Sequence, residues 1–308
     1  MNSFVHISQI ERETGFSKAQ LRKWRSRFGF PPKESTTDSK SLYSGETLER
    51  LLLIKRLLEA GYRPSEVVST NYEGLQELAA GMSEPELNVV YDDTIKNLID
   101  HIKHFDIKAF NALLVELRSK RKLFDLIQNT LVPLMIYLGE AWNRGEIDIY
   151  HEHLCTSCLE RFLNGAILQF TPLSASPTIL FAAPPSENHL LGLLMAEAIL
   201  AEQGVKAIHM GSHIPIHSLQ KAAIACNADI VVLSFSFAYP SRNIQPILSQ
   251  VRKSLPNQIQ IWAGGAGLFN VKRQPKGVTI FRNLEGAVKA LNKLTAPLSK
   301  DAMVVDLN

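Results

Sequence analysis

The apolar positions of the chain form helical repeats in its centre. Over residues 85–171, apolar side chains recur every three or four positions, beginning with Leu87, Tyr91 and Ile95. This spacing puts them on one face of a helix. We predict four helices joined by short links, which is typical of a four-helix bundle, and we expect Pro133 to kink the third helix.

From Thr178 the pattern changes to short apolar runs that alternate with helical stretches. The runs occupy residues 178–183, 205–210, 229–234, 259–263 and 278–282. Such alternation is typical of a doubly wound α/β domain with five parallel strands. Because ligands of this fold bind outside the carboxyl ends of the strands, the loops that follow the strands are the candidate site.

The N-terminal segment has the pattern of a helix-turn-helix. Residues 5–14 favour a short helix that ends at Gly15. Ser17, with Gln20 three residues later, is a capping-box pattern, so a second helix begins there and runs to about Phe28. In this motif the second helix enters the major groove of DNA.

The residues that follow suit a winged version of the motif. Polar residues 33–41 and the segment 42–44 favour a hairpin wing, and a leucine-rich helix is predicted from about Gly45 to Ala60. Pro64 is expected to begin the next helix. The alternative is a small helical bundle with one basic side.

Composition and charge narrow the class of protein. The 308 residues have a net charge of +3, and 45% of them are hydrophobic, which excludes a mostly disordered chain. Three cysteines argue against a secreted disulfide scaffold, and no apolar run is as long as a membrane span. The N-terminus lacks a signal-peptide pattern. We therefore expect a soluble, cytoplasmic, multidomain protein without a membrane partner.

The positive charge is concentrated at the N-terminus. Residues 1–70 have five Lys and seven Arg against seven Glu and one Asp, a net charge of +4. On the predicted second helix the basic residues follow one another without an intervening acid: Lys18, Arg22, Lys23, Arg25 and Arg27. A local excess of this kind is typical of contacts with the phosphates of double-stranded DNA.

Residues 4–70 resemble the MerR family of winged-helix regulators. The resemblance rests on the segments Leu21-Arg22-Lys23-Trp24, Phe28-Gly29-Phe30-Pro31 and Leu42-Tyr43-Ser44. It implies that Arg22 and Trp24 contact an operator. It also implies that Tyr43 braces the wing and belongs to the DNA-binding residues. Two positions depart from the family, since Arg25 stands where an acid is usual and Ser41 where the wing usually has an arginine.

The loop after the first predicted strand of the α/β domain contains a candidate metal ligand. Its sequence includes Glu187-x-His189-x-x-Gly192. Neutral imidazole is a good ligand for transition metals, and a carboxylate two residues away can hold the second ring nitrogen and fix the tautomer. A lone histidine after a strand is more often structural.

This motif resembles the D/E-x-H-x-x-G motif of cobalamin-binding domains, and Ser234 and the pair Gly264-Gly265 follow at similar spacing. The resemblance implies that His189 ligates the cobalt. It also implies that Gly192 admits the nucleotide tail, that Ser234 bonds its dimethylbenzimidazole, and that the glycine pair allows close approach. Ser236 replaces the usual leucine, which we expect to cost some packing.

The predicted bundle contains a second signature. Trp142 is followed after nine residues by Glu152-His153, which resembles the Trp–Glu–His signature of CarH-type photoreceptor repressors. In that family these residues cover the adenosyl face of the corrin. Residue 143 is Asn, where several members have a histidine that captures cobalt after photolysis. Taken alone, the three residues would be a core tryptophan and a solvated pair.

The predicted architecture combines a winged helix (1–72), a four-helix bundle (84–171), a Rossmann-like cobalamin-binding domain (177–295) and a tail (296–308). The function that we predict is a non-enzymatic transcriptional regulator, expected to be a repressor, which senses adenosylcobalamin and light. It would self-associate as a dimer or tetramer in a cofactor- and light-dependent way.

Two other functions remain open at this stage. One is a regulator of the same architecture that works without cobalamin or with another tetrapyrrole, and the other is a corrinoid methyl carrier. Cys155 and Cys158 form a C-x-x-C within a predicted helix, where small core residues are the default and zinc or redox use is the alternative.

Overall fold

A computed structural model of the protein describes the greater part of the chain. The described residues are 4–32, 35–37, 40–59, 62–80, 92–143, 146–173, 176–237, 239–269, 271 and 274–295. The chain divides into two compact units. The first unit contains the residues up to Asp93 together with Met135–Glu152, and the second contains Thr94–Leu134 and the residues from His153 onward. The predicted tail 296–308 lies outside the described residues.

The N-terminal part of the first unit is a winged helix-turn-helix. Its elements are β1 (Phe4–His6), α1 (Ile7–Thr14), α2 (Lys18–Phe28), β2 (Ser35–Thr37), β3 (Lys40–Ser44), α3 (Gly45–Glu59), α4 (Pro64–Val67) and α5 (Tyr72–Ala80). The strands form an antiparallel sheet in the order β1-β3-β2. The predicted helix-turn-helix and wing are both present.

The first helix begins later than the sequence pattern indicates. Residues 4–6 form β1, in which Phe4 pairs with Ser44 and His6 with Leu42 of β3. The His6 side chain then accepts a hydrogen bond from the Ser8 backbone N–H at 3.3 Å and so caps α1. The expected helix start at Val5 is therefore wrong, because pairing with a strand far along the chain leaves no local signal.

The predicted ends of the two motif helices are confirmed. Gly15 and Gly29 end α1 and α2 in the left-handed region, with φ of 73° and 74°. At the start of α2, the Ser17 hydroxyl accepts from the Gln20 N–H at 3.2 Å. These caps set the turn between the helices, and they place α2 so that one face packs inward and the other meets solvent.

The winged helix is held by a small apolar core and one arginine. Leu21 and Trp24 of α2 are buried, and Trp24 packs edge-on against Phe16 with ring centroids 4.7 Å apart. The Arg50 guanidinium lies 3.8 Å from the ring centroid of Phe30. It also donates to the carbonyl oxygens of Val68 and Thr70, so α3 is tied to the segment that joins α4 to α5.

The centre of the chain is helical from Asp93 onward, as predicted, whereas Leu87 and Tyr91 lie outside the described residues. Its elements are α6 (Asp93–Lys103), α7 (Ile107–Lys120), α8 (Leu123–Leu126), a π-helical turn (Ile127–Leu131), α9 (Val132–Asn143) and α10 (Ile149–Ile167). The irregularity expected at Pro133 takes the form of the π-helical turn directly before it. Proline donates no N–H and its ring crowds the carbonyl four residues earlier, at Asn129, where the wider turn gives room.

The second unit contains the predicted parallel sheet. Its elements are β4 (Thr178–Ala182), α11 (Leu191–Glu202), β5 (Lys206–His209), α12 (Ile216–Ala225), β6 (Ile230–Ser234), α13 (Ser241–Ser254), β7 (Gln260–Gly264), β8 (Thr279–Ile280) and α14 (Leu284–Thr295). The strand order is β5-β4-β6-β7-β8, with all pairs parallel. The chain winds in opposite directions from β4 and β6, so the crevice of this fold opens between their carboxyl ends.

The packing around α11 fixes the loop that enters this crevice. Residues on all sides of α11 are buried, since the helix packs against β4, β5 and β6 and also contacts α8 and α14. A helix that is apolar all round is held firmly within a protein core. The loop between β4 and α11 is thus anchored at both ends. Among the described residues, no helix is both long and apolar enough to cross a membrane.

Candidate functional site

The loop between β4 and α11 holds a buried carboxylate under an exposed imidazole. Glu187 is only 1% exposed, whereas the side chain of His189 is 58% exposed. Glu187 Oε1 accepts from the His189 backbone N–H at 2.9 Å and lies 2.8 Å from His189 Nδ1. A carboxylate only accepts, so Nδ1 carries the hydrogen and Nε2 is the nitrogen that can bind a metal.

Ser236, in the loop after β6, completes this arrangement. Its backbone N–H donates to Glu187 Oε2 at 2.7 Å, and its hydroxyl lies 3.0 Å from Glu187 Oε1 and 3.1 Å from His189 Nδ1. The sequence predicts only a loss of packing where this serine replaces leucine. The structure instead shows that the hydroxyl joins the pair, an interaction that the sequence spacing alone did not indicate.

The hydrogen bonds keep Glu187 ionised although it is buried. Burial raises the pKa of this carboxyl, but the bonds from His189 and Ser236 outweigh it, and the net pKa is lowered. An ionised carboxylate orients the imidazole and increases its basicity as a ligand. Tyr239 braces the same loop, because its hydroxyl donates to the Pro185 carbonyl at 3.2 Å.

The predicted small residues form a cradle at the same edge of the sheet. A Cβ at Gly192 would come within 3.3 Å of the hydroxyl of Ser234, which is buried at the end of β6. Gly265 has φ of 104°, and a Cβ there would lie 2.2 Å from the Phe235 carbonyl oxygen. At Gly264 a Cβ would make only an ordinary contact at 3.9 Å, so the steric demand of the glycine pair lies at Gly265.

Gly267 is a cradle residue that the sequence analysis missed. A Cβ at this position would lie 2.4 Å from the Ser236 carbonyl oxygen. The run Gly264-Gly265-Ala266-Gly267 contains the signal, since a third glycine follows closely after the predicted pair. The two glycines let the loop after β7 lie directly against the loop that carries Ser236.

A second histidine contacts the ligand loop from the other side. His213, in the loop after β5, has φ of 57° and donates from Nε2 to Asn188 Oδ1. Asn188 stands between Glu187 and His189, so the loop is tied to both neighbouring loops. His209 is separate and donates from Nδ1 to the buried Glu197 of α11 at 2.6 Å.

These residues fit a cobalt corrinoid. The donor is one imidazole with its remote nitrogen held by a carboxylate, which suits a metal whose other ligands come from a macrocycle. Among the described residues, no group of three or more His, Cys, Asp or Glu could hold a metal ion by itself. The glycines at this edge of the sheet let the loops around the imidazole pack closely against one another.

The second signature lies on two helices. Trp142 is in the last turn of α9, Glu152 is in the first turn of α10, and His153 directly follows it. The boundary between the compact units falls between Glu152 and His153. The role of these three residues at the adenosyl face stays a prediction, and the side chain of Asn143 lies outside the described residues.

The predicted DNA-binding residues divide into an exposed set and an internal set. Lys18, Arg22, Lys23 and Arg27 are exposed on α2. Trp24 and Tyr43 are buried, at 4% and 3% exposure, and belong to the core of the winged helix. A base contact by Trp24 would require its side chain to leave that core. The expected contacts of the exposed residues stay predictions.

Arg25 also points inward, although it lies on the same helix. Its Nε donates to the Pro31 carbonyl at 3.1 Å and its Nη2 donates to the Tyr43 hydroxyl at 2.8 Å. Arg25, the residue that departs from the family pattern, is thus hydrogen-bonded both to the segment that follows α2 and to the wing strand β3.

The two cysteines of the C-x-x-C are part of a helix interior. Cys155 and Cys158 are buried within α10 and are not disulfide-bonded. Burial raises the pKa of the Cys158 thiol. A buried thiol with a raised pKa is a poor nucleophile and a poor metal ligand, so Cys158 is a small core side chain, and Cys155 is likewise fully buried.

Two protein families match the chain. The family described as "MerR HTH family regulatory protein" matches residues 5–69, and the "B12 binding domain" family matches residues 94–164. The second match covers α6 to α10, whereas the Glu187–His189 loop lies beyond it. The fold, the site and these matches together define the class: a DNA-binding regulator whose N-terminal segment matches the MerR family and whose central helices match a cobalamin-binding family.

Within this class the chain is similar to a particular repressor. It is 26% identical over 250 residues to "HTH-type transcriptional repressor CarH" of Myxococcus xanthus. The aligned residues cover 80% of this chain and 83% of the relative. The expected family resemblance is thereby confirmed.

Two solved structures are similar to this chain to different degrees. The Methanosarcina barkeri monomethylamine corrinoid protein is 14% identical, with a TM-score of 0.52 over 64% of this chain and 96% of the other. This likeness supports the fold alone. The methanol:cobalamin methyltransferase complex MtaBC of Methanosarcina barkeri is 13% identical, with a TM-score of 0.35 over 79% of this chain and 93% of the other. A likeness this weak adds nothing to the argument.

Proposed function

We propose that the chain is a transcriptional repressor that binds adenosylcobalamin and uses it to sense light. The repressor role follows from the likeness to CarH, and light sensing follows from the resemblance of Trp142, Glu152 and His153 to the CarH-type signature. The observation that carries the cofactor assignment is the buried Glu187 carboxylate, which orients His189 and leaves Nε2 for the metal.

Each residue of the site has a defined task in this proposal. His189 would hold the cobalt, while Glu187 and Ser236 hold the imidazole in one orientation. Ser234, Gly192 and the cradle after β7 receive the nucleotide tail. Bound adenosylcobalamin supplies a cobalt–carbon bond that light breaks.

The readout requires residues that distinguish the cofactor with its adenosyl group from the cofactor without it. Trp142 offers a flat apolar wall, and Glu152 and His153 offer hydrogen bonds to the sugar or the base. A ligand shifts an equilibrium only by its different affinity for the two states. Loss of the adenosyl contacts therefore changes self-association, as dimer or tetramer, and with it the affinity for operator DNA.

Asn143 makes the illuminated state of this protein distinctive. An amide side chain is a far weaker cobalt ligand than an imidazole, since it offers a carbonyl oxygen rather than a ring nitrogen. We infer that the cofactor would be held less stably after illumination than in a site that offers two protein imidazoles.

In this proposal the protein acts as a regulator and not as an enzyme. The second candidate is a corrinoid methyl carrier, which the fold likeness to a corrinoid protein favours. A carrier has no use for a winged helix with an exposed basic face, and this argues for the regulator.

The test compares adenosylcobalamin with methylcobalamin, each in the dark and after illumination. For each of the four samples, the absorption spectrum, the size-exclusion elution volume and the mobility shift of a DNA duplex are recorded. We expect adenosylcobalamin in the dark to produce the larger assembly and the tighter DNA complex, and illumination to reverse both. Methylcobalamin should assemble the protein poorly.

The outcomes separate the candidates. Identical elution and DNA binding in all four samples would replace the light switch with a cobalamin-independent regulator. Cofactor binding without any DNA binding would favour the carrier.

A further inference from the structure

Arg25 differs from the other basic residues of α2 in the surroundings of its charged group. Lys18, Arg22, Lys23 and Arg27 are exposed, whereas Arg25 is half-buried and uses its guanidinium inside the protein. Phosphate contacts need a cation that reaches solvent. The sequence places all five cations on one helix, but the structure shows four of them exposed and the fifth, Arg25, bonded to other parts of the protein.

The Arg25 guanidinium joins three parts of the winged helix. It belongs to the last turn of α2, Nε donates to Pro31 in the exit segment, and Nη2 donates to Tyr43 in β3. The guanidinium carbon also lies 5.9 Å from the centroid of the Tyr43 ring. A planar fork can make two such bonds in fixed directions, which a lysine ammonium cannot reproduce.

Tyr43 is well placed to transmit this constraint. Its side chain is 3% exposed, and its backbone pairs with Val5 of β1 in the centre of the three-stranded sheet. Because β3 is also the strand that pairs with β2 to form the wing, fixing Tyr43 fixes the base of the wing.

We propose that Arg25 is a positioning residue of the DNA interface, which acts through Tyr43 by holding the wing in register with the recognition helix α2. The role rests on the proposed function only in that this winged helix binds DNA. Placing two contact elements at a fixed separation removes an ordering cost that binding would otherwise bear.

The test is a double-mutant cycle between Arg25 and Tyr43. The probe is a DNA duplex selected by the wild-type protein from a random-sequence pool. Arg25→Gln and Tyr43→Phe should each weaken binding about tenfold, since a hydrogen bond to a charged group contributes about that factor. The double variant should be little weaker than either single one, because both changes remove the same link.

Two further variants separate positioning from direct contact. Arg25→Lys keeps the charge but not the fork, so we expect it to bind about as weakly as Arg25→Gln, whereas a phosphate contact would largely survive. Lys23→Gln removes an exposed charge, and its effect should add fully to that of Tyr43→Phe. Hydroxyl-radical footprints of Arg25→Gln should lose the outer, wing-side protection and keep the central protection by α2.

The results that would overturn the proposal are distinct from those that bear on DNA binding itself. Fully additive effects of Arg25→Gln and Tyr43→Phe, or wild-type affinity in Tyr43→Phe, would show that Arg25 contacts DNA by itself or not at all. Circular dichroism of each variant shows whether the unit is folded, and Arg25→Lys and Tyr43→Phe are the milder pair for the comparison. If the wild-type protein selects no duplex, the proposed function fails instead.

Discussion

The two candidate sites of this protein are built on opposite principles. On α2, exposed cations such as Arg22 and Lys23 extend from a helix whose other face is core, so each side chain acts largely alone. At the crevice of the parallel sheet, the exposed His189 depends on the buried Glu187, on Ser236 and on glycines that let loops touch. A site of the first kind should lose function gradually on substitution, and one of the second kind abruptly.

The comparison is sharpest for two glycines that both have positive φ. At Gly29, after α2, a Cβ would meet nothing within 4 Å, whereas at Gly265 it would lie 2.2 Å from a backbone oxygen. We expect Gly29→Ala to cost about 1 kcal/mol of unfolding free energy, the usual cost of a left-handed alanine, and Gly265→Ala about 4 kcal/mol. Urea unfolding followed by circular dichroism measures both. Equal costs would show that the loop after β7 yields easily.

The next largest effect is expected at the metal ligand. His189→Ala should weaken cobalamin binding by about 100-fold or more, since removing an outer partner alone typically costs 10–100-fold. The visible spectrum of the bound cofactor should change because cobalt loses its imidazole. DNA affinity of the cofactor-free variant is the control and should match the wild type. An unchanged spectrum would assign the cobalt to another group.

Substitution of the residues that hydrogen-bond His189 should weaken cobalamin binding as well, but by less. Glu187→Gln and Ser236→Ala should each weaken cobalamin binding about tenfold, by releasing the orientation of His189. Ser236→Leu restores the residue usual in the resembled family and is the matched control for packing. If it binds as well as the wild type, the hydroxyl is dispensable. Titration calorimetry with the cofactor distinguishes these outcomes.

Glu187 should also give the cofactor-free protein a pH-dependent stability. Its pKa is lowered in the folded state, so its contribution is full above the ordinary carboxyl pKa and is lost as the pH falls through the lower, folded value. The stability difference between wild type and Glu187→Gln should therefore be larger at neutral pH than in acid. A difference that does not vary with pH would indicate that Glu187 acts by packing.

The smallest single effect should come from the exposed face of α2. Arg22→Ala should weaken DNA binding several-fold and reduce the slope of log affinity against log salt by about one, as for one lost phosphate contact. The spectrum of bound cobalamin should be unchanged. Wild-type affinity in this variant would remove α2 from the interface.

The sequence by itself determined the elements and most of the candidate residues. Helical spacing, glycine stops and the Ser17 cap placed α1 and α2, and five apolar runs placed the strands of the parallel sheet. These signals are local, because a cap or a period is readable within a few residues of itself. The Glu187–His189 pair was readable for the same reason, since only one residue separates its members.

Only the tertiary structure decided which of these side chains act together. β1 forms because Val5 meets Tyr43, Ser236 joins a carboxylate 49 positions earlier in the chain, and Arg25 turns inward to Tyr43. Each of these contacts joins residues far apart in sequence, where composition and spacing give no distance. From charge alone, Arg25 and Arg22 are expected to have the same role. The structure distinguishes them, because the Arg25 guanidinium is hydrogen-bonded to acceptors within the protein, whereas Arg22 is exposed to solvent.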